Sequence, residues 1–502
     1  MKAAQRVLAG AAGLALLVVL AIGNAAGYRF GVSDQAFYLP SIFLAGDPTL
    51  YPRDAALLQA QGRLMVSDEI TAWLLTRGVP LEPLMLAGHL AGLALLFGAV
   101  WVIGRRLAHS PWTAAACCAA VTLRHRITDT GANTFEGYYH PRGLAFAAGA
   151  WAAAALASGR VVTSWGLVAV ALVLHPTTGL WWAVWLAVAS LMARPTWRRD
   201  LGLAAACAVL VAGAVLLGTP LGERLRVMDP AWVTPFASKD YVFPDAWGAD
   251  AWLANLGTVA VVLLAWRWRT TRGIAQRWEA GMAGGVAALA ALFLASLPLI
   301  AARVALAVQM QTSRVFWVID MFAVLLLVWA LAEAGSTPGP ADESPARTWR
   351  PRIVALLLLA IAAARGLYIT QVQHPERAFV QRGLEDSDWV RVGQWIAEHT
   401  PADTQVLTDP DHDWKFGHSV RLTARRDVFV EGVKDAALAM YDREVAVRVQ
   451  ERLEAIGDIG SLDADKARAL ATRYDLDVLV IDRDLPLPEL HRDGRFRVYR
   501  LR

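Results

Sequence analysis

Apolar residues run along most of the chain in long blocks separated by short arginine-bearing connections, and only the last quarter changes to the shorter periods of a soluble fold. A helix that crosses a bilayer needs roughly 20 mostly apolar residues. On that measure the pattern predicts eleven spans, near 7–27, 83–103, 110–124, 141–158, 161–174, 177–193, 201–218, 252–266, 279–300, 304–332 and 353–370. The apolar stretch 161–193 is interrupted by HPTTG at His175–Gly179, where Pro176 cannot donate a backbone hydrogen bond. It reads as two short helices meeting near the outer face beside a cavity, because irregular backbone at membrane depth needs polar company.

Beyond about residue 385 the pattern predicts a helix over DSDWVRVGQWIAEHT, strands at QVL, DVFVEGV, DVLVI and FRVYRL, and helices over 436–456 and 464–474. The expected fold is a polytopic α-helical membrane protein of about 11 spans with a small C-terminal extracytoplasmic α/β domain. The division is 1–375 for the transmembrane part, with a large first outer loop at 28–82, and 376–502 for the soluble part. Residues 1–27 read as a retained anchor, and 333–350, rich in Gly, Pro and Ser, as a flexible inner loop.

Composition supports the membrane assignment: 56% of the 502 residues are hydrophobic, 18% are charged and the mean hydropathy is +0.38. Residues 1–375 carry 28 basic and 19 acidic side chains (net +9), whereas residues 376–502 carry 20 and 25 (net −5). Placing the N-terminus inside puts Lys2, Arg6, Arg105, Arg106, Arg160, Arg267, Arg269 and Arg272 on short inner segments, as positively charged inner loops require, and leaves the C-terminus outside. Only five of the 48 basic residues are Lys, a composition bias rather than a nucleic-acid footprint, so no nucleic-acid partner is expected. Three cysteines, all in apolar segments, form no disulfide framework. Walker, GxGxxG and HExxH patterns are absent, which argues against an ATP-driven pump or a zinc protease.

Four places carry candidate chemistry. The first outer loop begins GYRFGVSDQAFYLP, and Asp34, with Asp47, Arg53 and Asp54, offers a carboxylate beside a membrane exit that suits a base or a divalent-metal ligand. Its plainest alternative is an N-cap for the following helix. The loop RHRITDTGANTFEGYYHPRG gathers Glu136, His140 and Arg142 with Tyr138 and Tyr139, a mixture suited to phosphate and sugar or, alternatively, to an interfacial belt. His175 stands at the broken helix pair as a donor to phosphate or a capped turn. Arg314, in QMQTSRVFW, heads a late span, where a charge tends to face a polar cavity unless it snorkels.

This layout resembles the GT-C superfamily of membrane glycosyltransferases, which includes the protein O-mannosyltransferases and the aminoarabinose transferase of lipid A. The likeness rests on GVSDQAFYLP after the first span, the broken central helices, SRVFW and the extracytoplasmic C-terminal domain. It implies a glycosyltransferase of a bacterial inner membrane and cell envelope, using a polyprenyl-phosphate-linked sugar donor and an acceptor on the outer face. Asp34 would be the catalytic residue, with Asp54, Arg53, Glu136, His140, Arg142, His175 and Arg314 binding substrate, and a divalent metal as a possible cofactor. The sequence departs from the family by carrying Gln35 where many members have a second acidic residue. Two other classes fit the same features: a transporter or flippase of a lipid-linked or anionic substrate, and an envelope scaffold.

Overall fold

The computed structural model describes residues 3–62, 66–193, 224–335 and 345–502. Seven helices among these are long and apolar enough to cross a membrane: Val7–Asn24, Leu81–Leu107, Pro176–Ala193, Ala249–Thr271, Arg277–Ala301, Ala305–Glu333 and Trp349–Gln373. Pro111–Val121 and Val161–Leu174 are shorter apolar helices, and Pro141–Ala157 packs between Leu81–Leu107 and Val161–Leu174. Ten of the eleven expected spans thus coincide with a helix. The eleventh, 201–218, lies outside the described residues, as do residues 336–344 of the expected inner loop 333–350.

Small residues and aromatic rings shape the membrane core. A Cβ at Gly149 would run into the Trp182 ring, and one at Gly281 would stand 2.5 Å from the Ala189 carbonyl oxygen. These positions let helices approach closely, as packing in lipid favours. Phe146 and Trp317 stack at 4.0 Å between centroids, and Trp185 stacks on Phe322 at 5.1 Å. At the end remote from the C-terminal domain, Arg269 is buried in a bidentate pair with Glu279 (2.6 and 2.9 Å). Glu333 accepts from the backbone of His109 and Ser110 and from Thr113.

The span expected at 304–332 is not continuous. Gln311 adopts a left-handed conformation (φ 51°), separating Ala305–Met310 from Val315–Glu333 by a single turn over Thr312–Arg314. No Gly or Pro signals this break. Polar contacts satisfy it instead: Ser296 and Thr312 share a hydrogen bond (2.7 Å), Ser313 donates to the Tyr241 carbonyl (2.7 Å), and Gln309 and Gln311 donate to Met440 O and Tyr441 Oη (2.9 and 3.0 Å).

The C-terminal domain has a five-stranded sheet in the order Asp427–Val428, Gln405–Leu407, Val478–Ile481, Phe496–Arg500, Glu489–Asp493. The first three strands are parallel, with Val406 facing Val478 and Val428, and the last two form an antiparallel hairpin. The helix Asp388–His399 covers one face and Arg443–Ile456 and Ala464–Tyr474 the other. Three expectations are corrected here. The hairpin strand Glu489–Asp493 is additional, the DVFVEGV strand shortens to two residues, and the single helix 436–456 is two, Gly432–Ala439 and Arg443–Ile456. Asp442, whose carboxylate accepts from Glu444 N and Val445 N, restarts the second as its N-cap.

One apolar core runs from this domain into the rest of the molecule: Leu438, Val445, Leu470 and Tyr499 pack in the same cluster as Tyr51, Leu57 and Leu58 of the long loop after the first span and Val308 of the broken span. A second tie is a parallel pairing of Tyr28–Arg29 with Val380–Gln381. The third is ionic. Arg421, fully buried, donates to Asp54 Oδ2 (2.8 Å) and to both oxygens of Asp435 (2.6 and 3.0 Å), with Glu431 at 3.4 Å. Removing only the cation of such a buried cluster strands its carboxylates and costs about 3–5 kcal/mol. Arg421→Met is therefore expected to lower the thermal unfolding midpoint of the detergent-solubilised protein by several degrees; an unchanged midpoint would show that the cluster does not hold the domain in place.

Candidate active site

After the first span, backbone geometry turns the chain sharply. Gly31 (φ 77°) and Ser33 (φ 55°) lie in the left-handed region, which a serine occupies only when its surroundings enforce it. Those surroundings are visible. Gln35 accepts from Gly31 N (2.6 Å) and donates to Tyr139 O (3.0 Å), and a Cβ at Gly31 would meet Leu384 and Leu422 of the C-terminal domain at 2.8 Å.

The turn delivers Asp34 to the start of the helix Gln35–Gly46, but its backbone is already helical and its side chain makes no capping hydrogen bond. The N-cap alternative thus fails. The carboxylate faces a different set of partners: Oδ1 lies 3.2 Å from Lys434 Nζ, while Oδ2 lies 3.3 Å from His140 Nε2, accepts from Tyr138 Oη (3.3 Å) and is 3.8 Å from Arg142 Nη2. Burial works against ionisation here, but Lys434, the His140 hydrogen bond and Arg142 outweigh it and hold the carboxyl well below the usual carboxylate range.

The loop before Pro141–Ala157 supplies the opposing wall. Arg126–Ile127 and Ala132–Asn133 form a small antiparallel ladder, and Glu136 pairs with Arg142 (2.6 Å) and Arg124 (3.4 Å). His140 is the N-cap: its Nδ1 accepts from Arg142 N (3.2 Å), which puts the proton of the neutral ring on Nε2, toward Asp34. Burial and Arg142 push its pKa down to about 4, so it stays neutral at physiological pH.

His175 closes the Val161–Leu174 helix, and its Nδ1 accepts from Thr178 N (3.3 Å) with the Thr177 and Thr178 hydroxyls at 3.1 and 3.0 Å. Its ring meets that of His140 edge-on at 6.1 Å. Arg314 leaves the Gln311 break with Asp34, Arg142, Tyr241 and Tyr441 in its electrostatic neighbourhood. Among the described residues its guanidinium makes no hydrogen bond or ion pair; Nε is buried and unpartnered, and the Tyr241 ring lies 5.3 Å from Cζ.

Asp34, Glu136, Tyr138, Arg142, Tyr241, Trp414 and Lys434 all line a cavity of about 730 Å³ between the membrane helices and the C-terminal domain. Its ionisable lining comprises Arg29, Arg124, Arg126, Arg142, Lys239, Arg377 and Lys434 against Asp34, Glu136, Asp240 and Asp413, seven positive to four negative. Such a surface suits an anion.

The structure places the expected residues in two groups. Asp34, Glu136 and Arg142 line the cavity, while His140 touches Asp34, His175 packs against the His140 ring and Arg314 stands within electrostatic reach of Asp34 and Arg142, these three without lining it. Arg53 and Asp54 lie apart: Arg53 donates to Gln405 and Asp475, and Asp54 lies fully buried against Arg421, where neither reaches the cavity. Both bind the C-terminal domain rather than line the site. Sequence reasoning passed over Lys434, Trp414, Lys239 and Tyr241. No local pattern marks them, and they reach the cavity only through tertiary docking.

The residues around Asp34 fit a divalent cation poorly. An ammonium and a guanidinium already flank the carboxylate, Gln35 spends both ends of its amide on backbone, and Glu136 is held by two arginines. Among the described residues no group of three or more His, Cys, Asp or Glu is arranged to hold a metal ion.

No protein-family model matches the chain, and no curated protein matches it at a significant level. In solved structures the chain is similar to the archaeal oligosaccharyltransferase AglB from Archaeoglobus fulgidus in complex with an inhibitory peptide and a dolichol-phosphate. The alignment covers 94% of this chain and 69% of that one, with 12% identity and a TM-score of 0.45. The apo form of the Archaeoglobus fulgidus oligosaccharyltransferase aligns over the same shares at 12% identity and a TM-score of 0.39.

The electrostatics give a pH signature. Asp34 faces Lys434, Lys239, His140, Arg142 and Arg314 as cations or donors, and Glu136, Tyr38, Tyr138 and Tyr241 as acids. Its folded pKa is depressed, so the stability it contributes is present above the unfolded value and lost as pH falls through the folded one. Asp34→Asn is expected to destabilise the protein by about 1–3 kcal/mol. In thermal unfolding the deficit should be constant from about pH 8 to 5 and shrink only below about pH 4. A deficit that disappears between pH 7 and 5 would contradict this charge arrangement.

Proposed function

We propose that this protein is an inverting glycosyltransferase that moves a sugar from a polyprenyl-phosphate donor to an acceptor on the outer face of a bacterial inner membrane. The observation that carries this reading is a carboxylate, Asp34, that caps no helix, in the same electrostatic neighbourhood as an arginine, Arg314, whose Nε is buried and which has no anion partner among the described residues. Both lie at the boundary between apolar helices and a soluble domain, where the phosphate of a membrane-held lipid and a water-borne acceptor can meet. Arg53 and Asp54 have no part in it.

The chemistry needs one displacement. The acceptor oxygen attacks the anomeric carbon from the face opposite the phosphate; a carbon–oxygen bond forms as the bond to the phosphate oxygen breaks, and the lipid phosphate leaves with the electron pair. Arg314 and Arg142 stabilise the charge that builds on that oxygen, in a partly dry site where such interactions are strongest. The acceptor's proton passes to Asp34. A carboxylate of low proton affinity suffices, because the attacking oxygen becomes strongly acidic once it bonds to the anomeric carbon. The Nε2–H of His140 and the hydroxyl of Tyr138 hold Oδ2 and Lys434 holds Oδ1, whose remaining lone pair takes the acceptor's proton.

Purified wild-type protein should release polyprenyl phosphate from a labelled donor lipid. Asp34→Ala is expected to slow release by about 10²–10⁴-fold, the worth of a positioned base, and Arg314→Ala by about 10²–10³-fold, the worth of a preorganised charge partner. Equal release by wild type and Asp34→Ala would remove Asp34 from the reaction.

A further inference from the structure

Lys434 is one of only five lysines in the chain, and its position is unusual for a residue of a soluble domain. Its side chain is 5% exposed, with Nζ 3.2 Å from Asp34 Oδ1 and 5.7 Å from the centre of the Trp414 ring. The helix that carries it, Gly432–Ala439, is fixed at its first turn by the buried cluster around Arg421. Glu431 stands at its N-cap and donates its backbone N–H to Asp435 Oδ2 (3.0 Å), and Asp435 is gripped by Arg421. The ammonium is therefore aimed at Asp34 by an anchor that leaves little freedom.

A divalent cation serving a carboxylate sits about 2.0–2.6 Å from its oxygens and gathers further oxygen ligands. At Asp34 that place is taken. A unit positive charge already stands on Oδ1, Gln35 occupies the neighbouring position in the sequence with both ends of its amide engaged by backbone, and Glu136 is neutralised by arginines. The tasks a metal ion would perform here are to fix the carboxylate, keep it ionised and offset its charge. An ammonium does all three with one charge and three donors.

We propose that Lys434, delivered by the C-terminal domain, holds the position a divalent cation would take beside Asp34, so that the site works without a metal ion and is complete only when this domain is docked. Lys434 is on this view a positioning residue, and its catalytic meaning rests on the glycosyl-transfer reading above.

Two measurements on the purified full-length protein separate the two ideas. Mn²⁺ titrated into wild type and Asp34→Ala and followed by electron paramagnetic resonance should give the same binding for both. One Mn²⁺ held by wild type and lost in Asp34→Ala would overturn the proposal, whatever the activity. In the donor-release assay, wild type should turn over equally in EDTA and in Mg²⁺. Lys434→Met should lower kcat about tenfold or more with little change in KM for the donor lipid, and Lys434→Arg should recover most of that loss. Loss of turnover in EDTA that Mg²⁺ restores, or full activity of Lys434→Met, would overturn it. If wild type releases no lipid phosphate at all, the glycosyl-transfer reading falls and the Mn²⁺ titration alone decides whether Lys434 stands in for a cation.

Discussion

The arrangement of the whole site hangs on Arg421 and the three carboxylates buried with it. Asp54, from the long loop after the first span, and Arg421, from the C-terminal domain, are separated by 367 positions in the chain and meet with neither side chain exposed. A buried ion pair is weak evidence for stability, because desolvation consumes much of the Coulombic gain; its better-attested use is to specify one arrangement. Apolar contact between Leu438 and Leu57 would tolerate small shifts of one part on the other. A guanidinium bound through three of its nitrogens does not. The same cluster fixes the first turn of the helix carrying Lys434, so the register of docking and the electrostatics of Asp34 are set by one structural device.

From that constraint the properties of Asp34 follow. Lone carboxylates at the start of a helix normally accept from the first free backbone N–H groups. Here the left-handed turn at Gly31 and Ser33 brings the residue in with helical dihedrals, so its side chain points away from the helix end and into the cavity. Once there it is surrounded by donors from three separate stretches of chain: Tyr138, His140 and Arg142 from one loop, Lys434 from the C-terminal domain, and Arg314 near by at the broken span. Each of these is held by a partner of its own, Arg142 by Glu136 and His140 by the backbone N–H of Arg142, and so the polar groups around Asp34 are preorganised.

How much of this was legible in the sequence depended on whether the signal was local. The spans were, because a run of apolar residues is itself the physical requirement for crossing a bilayer. So were the HPTTG break, through Pro176, and the candidacy of Asp34, His140, Arg142 and Arg314, charged groups close to apolar runs. The different fates of Asp34 and Asp54 were not. Both are aspartates of the long loop after the first span, and what separates them is that Arg421, which in VRLTARR looks like any basic residue of a surface helix, reaches one of them and Lys434 the other. The break at Gln311 was hidden for the same reason. QMQTSR has no helix breaker, and the left-handed residue is stabilised by Tyr441 and Met440 from more than a hundred positions away.

That break also explains why the C-terminal domain is joined to the membrane part by polar as well as apolar contacts. A helix interrupted at membrane depth exposes backbone groups that lipid cannot satisfy. In this protein the glutamines flanking the interruption reach the soluble domain, and Ser313 reaches the Tyr241 carbonyl. The single turn over Thr312–Arg314 also sets the Arg314 guanidinium beside the Tyr241 ring, with Tyr441 of the docked domain close by. The domain that supplies Lys434 to the carboxylate thus also stabilises the kink that presents the arginine.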